Sequence, residues 1–360
     1  MTLSERIEVL GKLGDYIAAD GDYLRAVMTR TEFNNKWFTQ DFQRQALTAI
    51  AENFLTRDKL KTWTADYPIA DGHTGRKVGL ILAGNIPLVG FHDVLCVFAA
   101  GHRVQIKLSD KDKYLLPHLL DKLSEFNPAA AQYFEITEKL SGFDAVIATG
   151  SNNSARYFEA YFGKYPHIIR KNRTGVAVLT GKETEEELRA LGHDIFRYFG
   201  LGCRNVSKIY VPQDYDFQML AETLHEFNFL IHNTKYKNNY DYNIALYQLN
   251  KVPLINNGAV IMTENSALIS RIATLHYEFY QDKKTLQKKL QSLKKELQLV
   301  VSNLEFSNLP VKKFGKAQSP GLHDYADGID TMAFLTSDSL AGQQTPTTPT
   351  RRTNHTPPRR

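Results

Sequence analysis

Residues 78–107 read VGLILAGNIPLVGFHDVLCVFAAGHRVQIK, and this stretch decides the fold class. Val78-Gly-Leu-Ile-Leu-Ala83 is a short apolar run, stopped by the turn Gly84-Asn85-Ile86-Pro87. A helix is predicted from Val89 to Ala100, ending at Gly101, and Val104-Gln-Ile-Lys107 reads as a second strand. Strand, helix and strand within about 30 residues make the repeating unit of a parallel sheet.

The same alternation runs outward in both directions. Downstream, a helix is expected over 113–125 and a strand at Ala145-Val-Ile-Ala148, which ends on Thr149-Gly150-Ser151. Gly175-Val-Ala-Val-Leu179, Lys208-Ile-Tyr-Val211, Val260-Ile-Met262 and Val300-Val301 read as further strands, with helices over 183–198 and 216–231. Residues 278–299, EFYQDKKTLQKKLQSLKKELQL, are predicted as one long helix whose lysines form a solvated face. Upstream, Ile7, Leu10, Leu13 and Ile17, then Phe42, Ala46, Ile50 and Phe54, recur at helical spacing, so 3–61 is expected to be helical. The fold class is α/β. Ligands of such sheets bind beyond the carboxyl ends of the strands, which singles out the loops 84–87, 107–110 and 149–152.

Composition removes several classes of function. The 360 residues are 42% hydrophobic and 23% charged, an ordinary soluble globular balance. The net charge is +5, but residues 341–360 hold Arg351, Arg352, Arg359, Arg360 and no acid, leaving the rest of the chain at +1. That is no nucleic-acid footprint. The Thr/Pro/Arg-rich segment 341–360 is expected to be disordered. Cys96 and Cys203 are the two cysteines, too few for a disulfide framework. Acids in the amphipathic N-terminus argue against a signal peptide. The most apolar stretch, 78–100, is broken by Asn85, Pro87, His92 and Asp93, so no membrane span is expected, and the location expected is cytoplasmic. No Walker phosphate loop, G-x-G-x-x-G, H-E-x-x-H or G-x-S-x-G motif is present. No metal site is expected.

The chemistry-bearing segment is Phe199-Gly-Leu-Gly-Cys203-Arg204. A cysteine preceded by glycines on a loop leaves room for backbone N–H groups, and a neighbouring arginine favours its thiolate. Cys96, inside Val94-Leu-Cys-Val-Phe98, reads as a buried small hydrophobe.

Taken together and in order, these segments resemble the aldehyde dehydrogenase superfamily. The likeness covers roughly residues 60–336. It rests on Gly84-Asn85-Ile86-Pro87, on Ala99-Ala-Gly101 before Lys107-Leu108-Ser109, on Thr149-Gly150-Ser151, on the Cys203 loop, and on Phe314-Gly-Lys-Ala-Gln-Ser319-Pro-Gly321. Leu108 stands where the family has proline. Within the superfamily, Gly202-Cys-Arg-Asn-Val-Ser207 and the ending at 314–336 resemble the bacterial long-chain acyl-CoA reductases of bioluminescent systems.

The resemblance implies an aldehyde-dehydrogenase-like fold of two parallel-sheet α/β domains with an N-terminal helical segment. The expected division is 1–62 helical, 63–170 dinucleotide-binding, 171–312 catalytic, 313–340 a C-terminal return and 341–360 a tail. It implies Cys203 as acyl acceptor and Asn85 as oxyanion donor. Lys107, Ser109, Asp110, Gly150 and Ser151 would meet the nicotinamide dinucleotide. Asp110 argues for NADH and the nearest family for NADPH, and NADPH is the choice here. The segment Ile168-Ile-Arg170-Lys171-Asn172-Arg173 lacks the glutamate with which oxidative members activate water. That favours reduction of a fatty acyl-CoA or acyl-protein thioester over hydrolysis, with the basic residues free to meet a phosphate. A reductase for a short acyl-CoA or acyl phosphate, and a weakly catalytic acyl carrier, remain open. An acyl-activating synthetase is the implied partner, and a homodimer or larger the implied assembly.

Overall fold

The structure is a computed structural model that describes residues 1–69, 71–72 and 75–337. The expected tail at 341–360 and the end of the expected return segment, 338–340, lie outside the described residues. Four helices open the chain: α1 (Leu3–Ala18), α2 (Asp22–Asn34), α3 (Gln40–Phe54) and α4 (Arg57–Ala65). Thr2 starts α1 with a reciprocal cap: its hydroxyl accepts from the Glu5 N–H and Glu5 accepts from the Thr2 N–H.

The first sheet then forms from β1 (Lys77–Ile81), α5 (Phe91–Ala99), β2 (Arg103–Lys107), α6 (Leu115–Phe126), β3 (Phe134–Ile136), β4 (Ala145–Thr149), α7 (Asn152–Phe162) and β5 (His167–Arg170). Its strands are all parallel, in the order β3-β2-β1-β4-β5. The order reverses at β1. The loops after β1 and β4 therefore diverge to opposite faces and leave a crevice between them.

The second sheet comprises β6 (Thr174–Val178), α8 (Glu185–Phe196), β7 (Val206–Pro212), α9 (Gln218–His225), α10 (Thr234–Leu249), β8 (Ile255–Asn256), β9 (Ile261–Glu264), β10 (Thr274–Tyr280), α11 (Lys283–Ser292), β11 (Leu297–Val301) and β12 (Val311–Lys312). Its order is β12-β11-β6-β7-β10-β9-β8, parallel except for the β8–β9 pair. Each sheet has its own core, and α3 joins them: Leu47, Ile50 and Phe54 pack in the first, Phe42 and Ala46 in the second. The chain ends with α12 (Thr331–Thr336), whose Met332 and Leu335 return to the first core.

One expected element is corrected. Residues 278–299 are not a single helix but the end of β10, the helix α11 and the start of β11. Glu278 sits inside the sheet because Lys208 on the adjacent β7 reaches it at 2.6 Å and Lys289 of α11 also bonds it. A half-buried carboxylate, paired with the fully buried Lys208 and with Lys289, tolerates a strand that its composition does not advertise. Elements α7, α10, β3, β5, β8 and β12 were not expected. Several are short edges, and α10 has apolar residues all round rather than in one stripe.

The loop carrying Cys203 is held by one side chain. Tyr198, Phe199 and Gly200 take φ of 56, 56 and 73°, so the chain turns through three left-handed residues. Non-glycine residues there cost about 1–3 kcal/mol each. Asn205 offsets this. Its Oδ1 accepts from the Gly202 N–H at 2.8 Å, and its Nδ2 donates to the carbonyls of Asp194, Ile195 and Arg197 at 3.0, 3.3 and 2.8 Å. Asn205→Ala is expected to lose about 2–4 kcal/mol of stability, read as a lowered urea midpoint, because it orphans buried groups at a strained turn.

Two buried carboxylates make a pH prediction. Asp112 holds the Leu88 N–H at 2.9 Å, Asp194 holds the Gly315 and Ala317 N–H groups, and burial pushes both carboxyls up to about 6. The unfolded chain releases these protons near pH 4, at about the ordinary aspartate value. Between about pH 4 and 6 the folded chain binds more protons, so their contribution to stability falls as pH rises. The stability of Asp112→Asn relative to wild type should therefore increase across that window, measured by urea midpoints at each pH.

Candidate active site

The crevice at the carboxyl ends of β1 and β4 is a cleft of about 570 Å³. It faces the Cys203 loop of the second sheet. Gly84, Asn85, Ser109, Gly150, Ser151 and Cys203 all line it. The five expected residues among them, Asn85, Ser109, Gly150, Ser151 and Cys203, come from four separate loops, brought together by the switch point of one sheet and the helix-to-strand turn of the other.

Asn85 is tied directly to the Cys203 loop. Its Nδ2 donates to the Leu201 carbonyl at 2.7 Å, two residues ahead of Cys203. An amide nitrogen carries two protons, so one remains for a ligand. Leu88, with φ of 56°, shapes the end of this turn, and Asp112 holds its N–H. Gly84 is required by close approach: a Cβ there would stand 2.3 Å from Ser109 Oγ. Ser151 caps α7, accepting from the Ser154 N–H at 3.1 Å. The N-cap of α7 is therefore part of the cleft wall.

Two expected residues stand apart. Lys107 is exposed at the end of β2, and Asp110 is exposed and paired with Lys113 at 2.8 Å, which holds its carboxyl below the usual range. Neither lines the cleft, whereas Lys111 does. A one-turn shift past Ser109 decides which lysine faces inward, and residue spacing does not reveal it.

Cys203 is partly exposed on the cleft wall. Burial of its sulfur raises the thiol pKa, opposed by Arg204, Arg170 and its own backbone N–H, while Asp327 adds to the rise. Cys96 is fully buried and inert, as expected. Arg170 corrects the reading of 170–173 as free basic residues. It is 3% exposed, bonds Asp93 through Nη1, and reaches Thr331 Oγ1 at 2.9 Å. Arg173 pairs with Asp327 at 3.2 Å. Neither arginine is left free for a phosphate. Sequence reading did not single out Asp93, Arg170's role or Asp327, because their significance lies in pairs spanning 77 and 154 positions.

Gly84, the start of α7 and Lys111 thus meet at one cleft. Among the described residues no group of His, Cys, Asp and Glu could hold a metal ion, and no helix is long and apolar enough to cross a membrane.

A second cavity of about 990 Å³ lies behind the Cys203 loop, between α3 and the turn 226–232. Phe42, Phe196, Phe199, Phe227 and Leu230 are among its walls. Phe196 and Phe199 line both cavities.

No protein-family model and no curated protein matches this sequence. Solved structures do. Aldehyde dehydrogenase 21 from Physcomitrella patens, in complex with its reaction product succinate, superposes with a TM-score of 0.70 at 12% identity, covering 94% of this chain and 85% of that one. A variant of aldehyde dehydrogenase C from Pseudomonas syringae, complexed with NAD+ and octanal, gives 0.61 at 12% identity over 85% and 73%. An NAD-dependent aldehyde dehydrogenase from Sinorhizobium meliloti gives 0.60 at 12% over 84% and 70%. At such identities the likeness is one of architecture, and the chain has the aldehyde dehydrogenase fold.

Proposed function

We propose that this protein reduces a long-chain fatty acyl thioester, an acyl-CoA or acyl-protein, to the aldehyde through an acyl-Cys203 intermediate, with NADPH as the reductant and NADH as second choice. The observation that carries the reading is the place of Cys203: in the cleft with Asn85, one aromatic wall away from a cavity of about 990 Å³. The first cavity, bordered by Gly84, Ser109, Lys111, Gly150 and Ser151, suits the cofactor. The second has a mixed lining, with charged residues such as Asp41, Arg44 and Glu52, and its buried phenylalanines would be the part that takes an apolar chain. Asp110 pairs with Lys113 and does not line the cleft, so it raises no objection to a 2′-phosphate there.

Cys203 Sγ attacks the thioester carbonyl. The free proton of the Asn85 amide and the Cys203 backbone N–H receive the oxyanion, and one such donor is worth about 3–4 kcal/mol. The thiol departs and acyl-Cys203 remains. When bound, the nicotinamide cofactor supplies the hydride. The resulting thiohemiacetal collapses to aldehyde and regenerates Cys203. The segment 168–173, at and just after the end of β5, carries no carboxylate in the region where the oxidative members of the superfamily have their water-activating glutamate, which supports reduction over hydrolysis. A synthetase that supplies the acyl group, and a dimeric or larger assembly, go with this reading, as do Cys203 and Asn85 as its catalytic residues.

Incubation with tetradecanoyl-CoA without cofactor should add one acyl mass in intact-mass analysis, and Cys203→Ala should abolish it. An adduct that persists in the alanine variant, or none in either protein, sinks the reading. An adduct formed with no NADPH or NADH oxidation makes the protein an acyl carrier instead.

The placement of the chain has its own test. Thr48 of α3 is exposed on the wall of the second cavity. Thr48→Trp should raise KM for tetradecanoyl-CoA at least several-fold and leave butyryl-CoA nearly unchanged. Equal effects on both, or none, place the acyl chain elsewhere.

A further inference from the structure

Two carboxylates line the Cys203 cleft, Asp93 and Asp327. They are not equivalent. Asp93 is buried against Arg170 on the floor of the cleft. Asp327 comes from the C-terminal segment that crosses between the sheets. Its φ is 61° and its ψ 10°, a left-handed conformation in a residue that is not glycine, followed by Gly328 at φ 67°. Such outliers persist only where neighbours enforce them. Here Arg173 Nε lies 3.2 Å from Asp327 Oδ1. With the Gln298 amide in its hydrogen-bonding orientation, its nitrogen donates to Oδ1 at 3.0 Å and its oxygen accepts from the Asp327 N–H at 3.2 Å. Every one of these bonds uses Oδ1 or the backbone. Oδ2 has no partner among the described residues and is not sealed from the cleft.

A carboxylate with one oxygen clamped and the other open, on the wall of the same cleft as the Cys203 thiol, is equipped to take up a proton. The other titratable groups of the cleft are poorly suited. Burial pushes His92 down to about 4, and its Nε2 bonds the Leu322 carbonyl at 3.0 Å. Cys203 itself needs help, because burial raises its thiol pKa. Asp327 is also raised by burial and by Asp93, and lowered by Arg173, Arg170 and Arg204.

We propose that Asp327, through Oδ2, is the proton acceptor that activates Cys203, directly or through one bridging water. The substrate in this step rests on the thioester reading above. As Sγ bonds to the carbonyl carbon, the thiol proton passes to Oδ2. When the carbon–sulfur bond to the departing thiol breaks, the same proton moves to that sulfur. Asp327 ends the step as a carboxylate, and no oxidant or reductant is consumed.

Asp327→Asn is the informative variant, because asparagine tolerates the left-handed region and still offers an acceptor to Arg173 and Gln298. The first measurement is the rate at which iodoacetamide alkylates Cys203, followed by peptide mass across pH 6 to pH 10 (a reagent that makes no demand on the thioester reading). The variant should react about 100-fold more slowly near neutral pH, a typical loss for a general base. The deficit should close at high pH, where the thiolate forms unaided. Asp327→Glu should recover part of the rate. The second measurement is single-turnover acylation by tetradecanoyl-CoA, which should show the same deficit. An unchanged alkylation rate and pH profile would overturn the proposal, and so would faster alkylation near neutral pH, which is what removing a negative charge that only raises the thiol pKa would give. So would a loss that is equal at every pH and accompanied by a lowered melting temperature, the mark of a purely structural Asp327–Arg173 pair. Normal acylation with a longer-lived acyl-enzyme would also overturn it, since Asp327 would then be activating water. If alkylation responds as expected but no acyl-CoA labels wild type, Asp327 keeps its role and the thioester reading falls.

Discussion

The side chain of Asn205 bonds the last turn of α8 to the loop that carries Cys203. Much of the site depends on this. A helix ending at Phe196 must become a strand at Val206, and between them the chain must lift a thiol into a crevice formed by another sheet. Three left-handed residues achieve the turn at a conformational cost that glycine relieves only at Gly200. Asn205 is buried, so its four hydrogen bonds are made away from competing water, where leaving them unmade would be expensive. Asn85, bonded to Leu201, then sets the first sheet against the same loop.

The C-terminal segment completes the arrangement. Between Leu322 and Leu335 it bonds elements of both halves. His92 and Trp63 meet Leu322 and Tyr325, and Tyr67 meets Tyr325 and Asp330. On the other side Arg204 reaches the Asp324 carbonyl and Lys312 its carboxylate. Asp194 holds the backbone of Gly315 and Ala317 as that segment begins. The strap is thus fastened to the first sheet, to the Cys203 loop and to the second sheet. It can hold Asp327 in a strained conformation because its ends are fixed.

Charge in the cleft is largely compensated in place. Arg170 and Arg173, which in sequence look like an exposed basic run, are turned to Asp93 and Asp327. Removing one partner of the buried Arg170–Asp93 pair would strand the other, so the pair constrains the cleft more than it strengthens the fold. Lys111 and Lys171 line the same cleft without a carboxylate partner among the described residues, and the second proton of the Asn85 amide is also open to a ligand.

The sequence by itself determined most of the central strands and the order of the loops, though not the short edge strands, α7 or α10. Apolar runs ending in glycine turns announced the parallel strands, and Gly84-Asn85, Thr149-Gly150-Ser151 and Gly202-Cys203 were legible because short backbone motifs carry their geometry locally. It failed where a local pattern had a distant explanation. Glu278 reads as a solvated helix residue until Lys208, 70 positions away, is placed beside it on the next strand. The inward-facing lysine after β2, the burial of Arg170 and the strain at Asp327 were likewise decided only by the tertiary structure. The reason is physical: periodicity and turn chemistry act over a few residues, whereas the partner that makes a buried charge or a left-handed residue tolerable is delivered by the packing of another element.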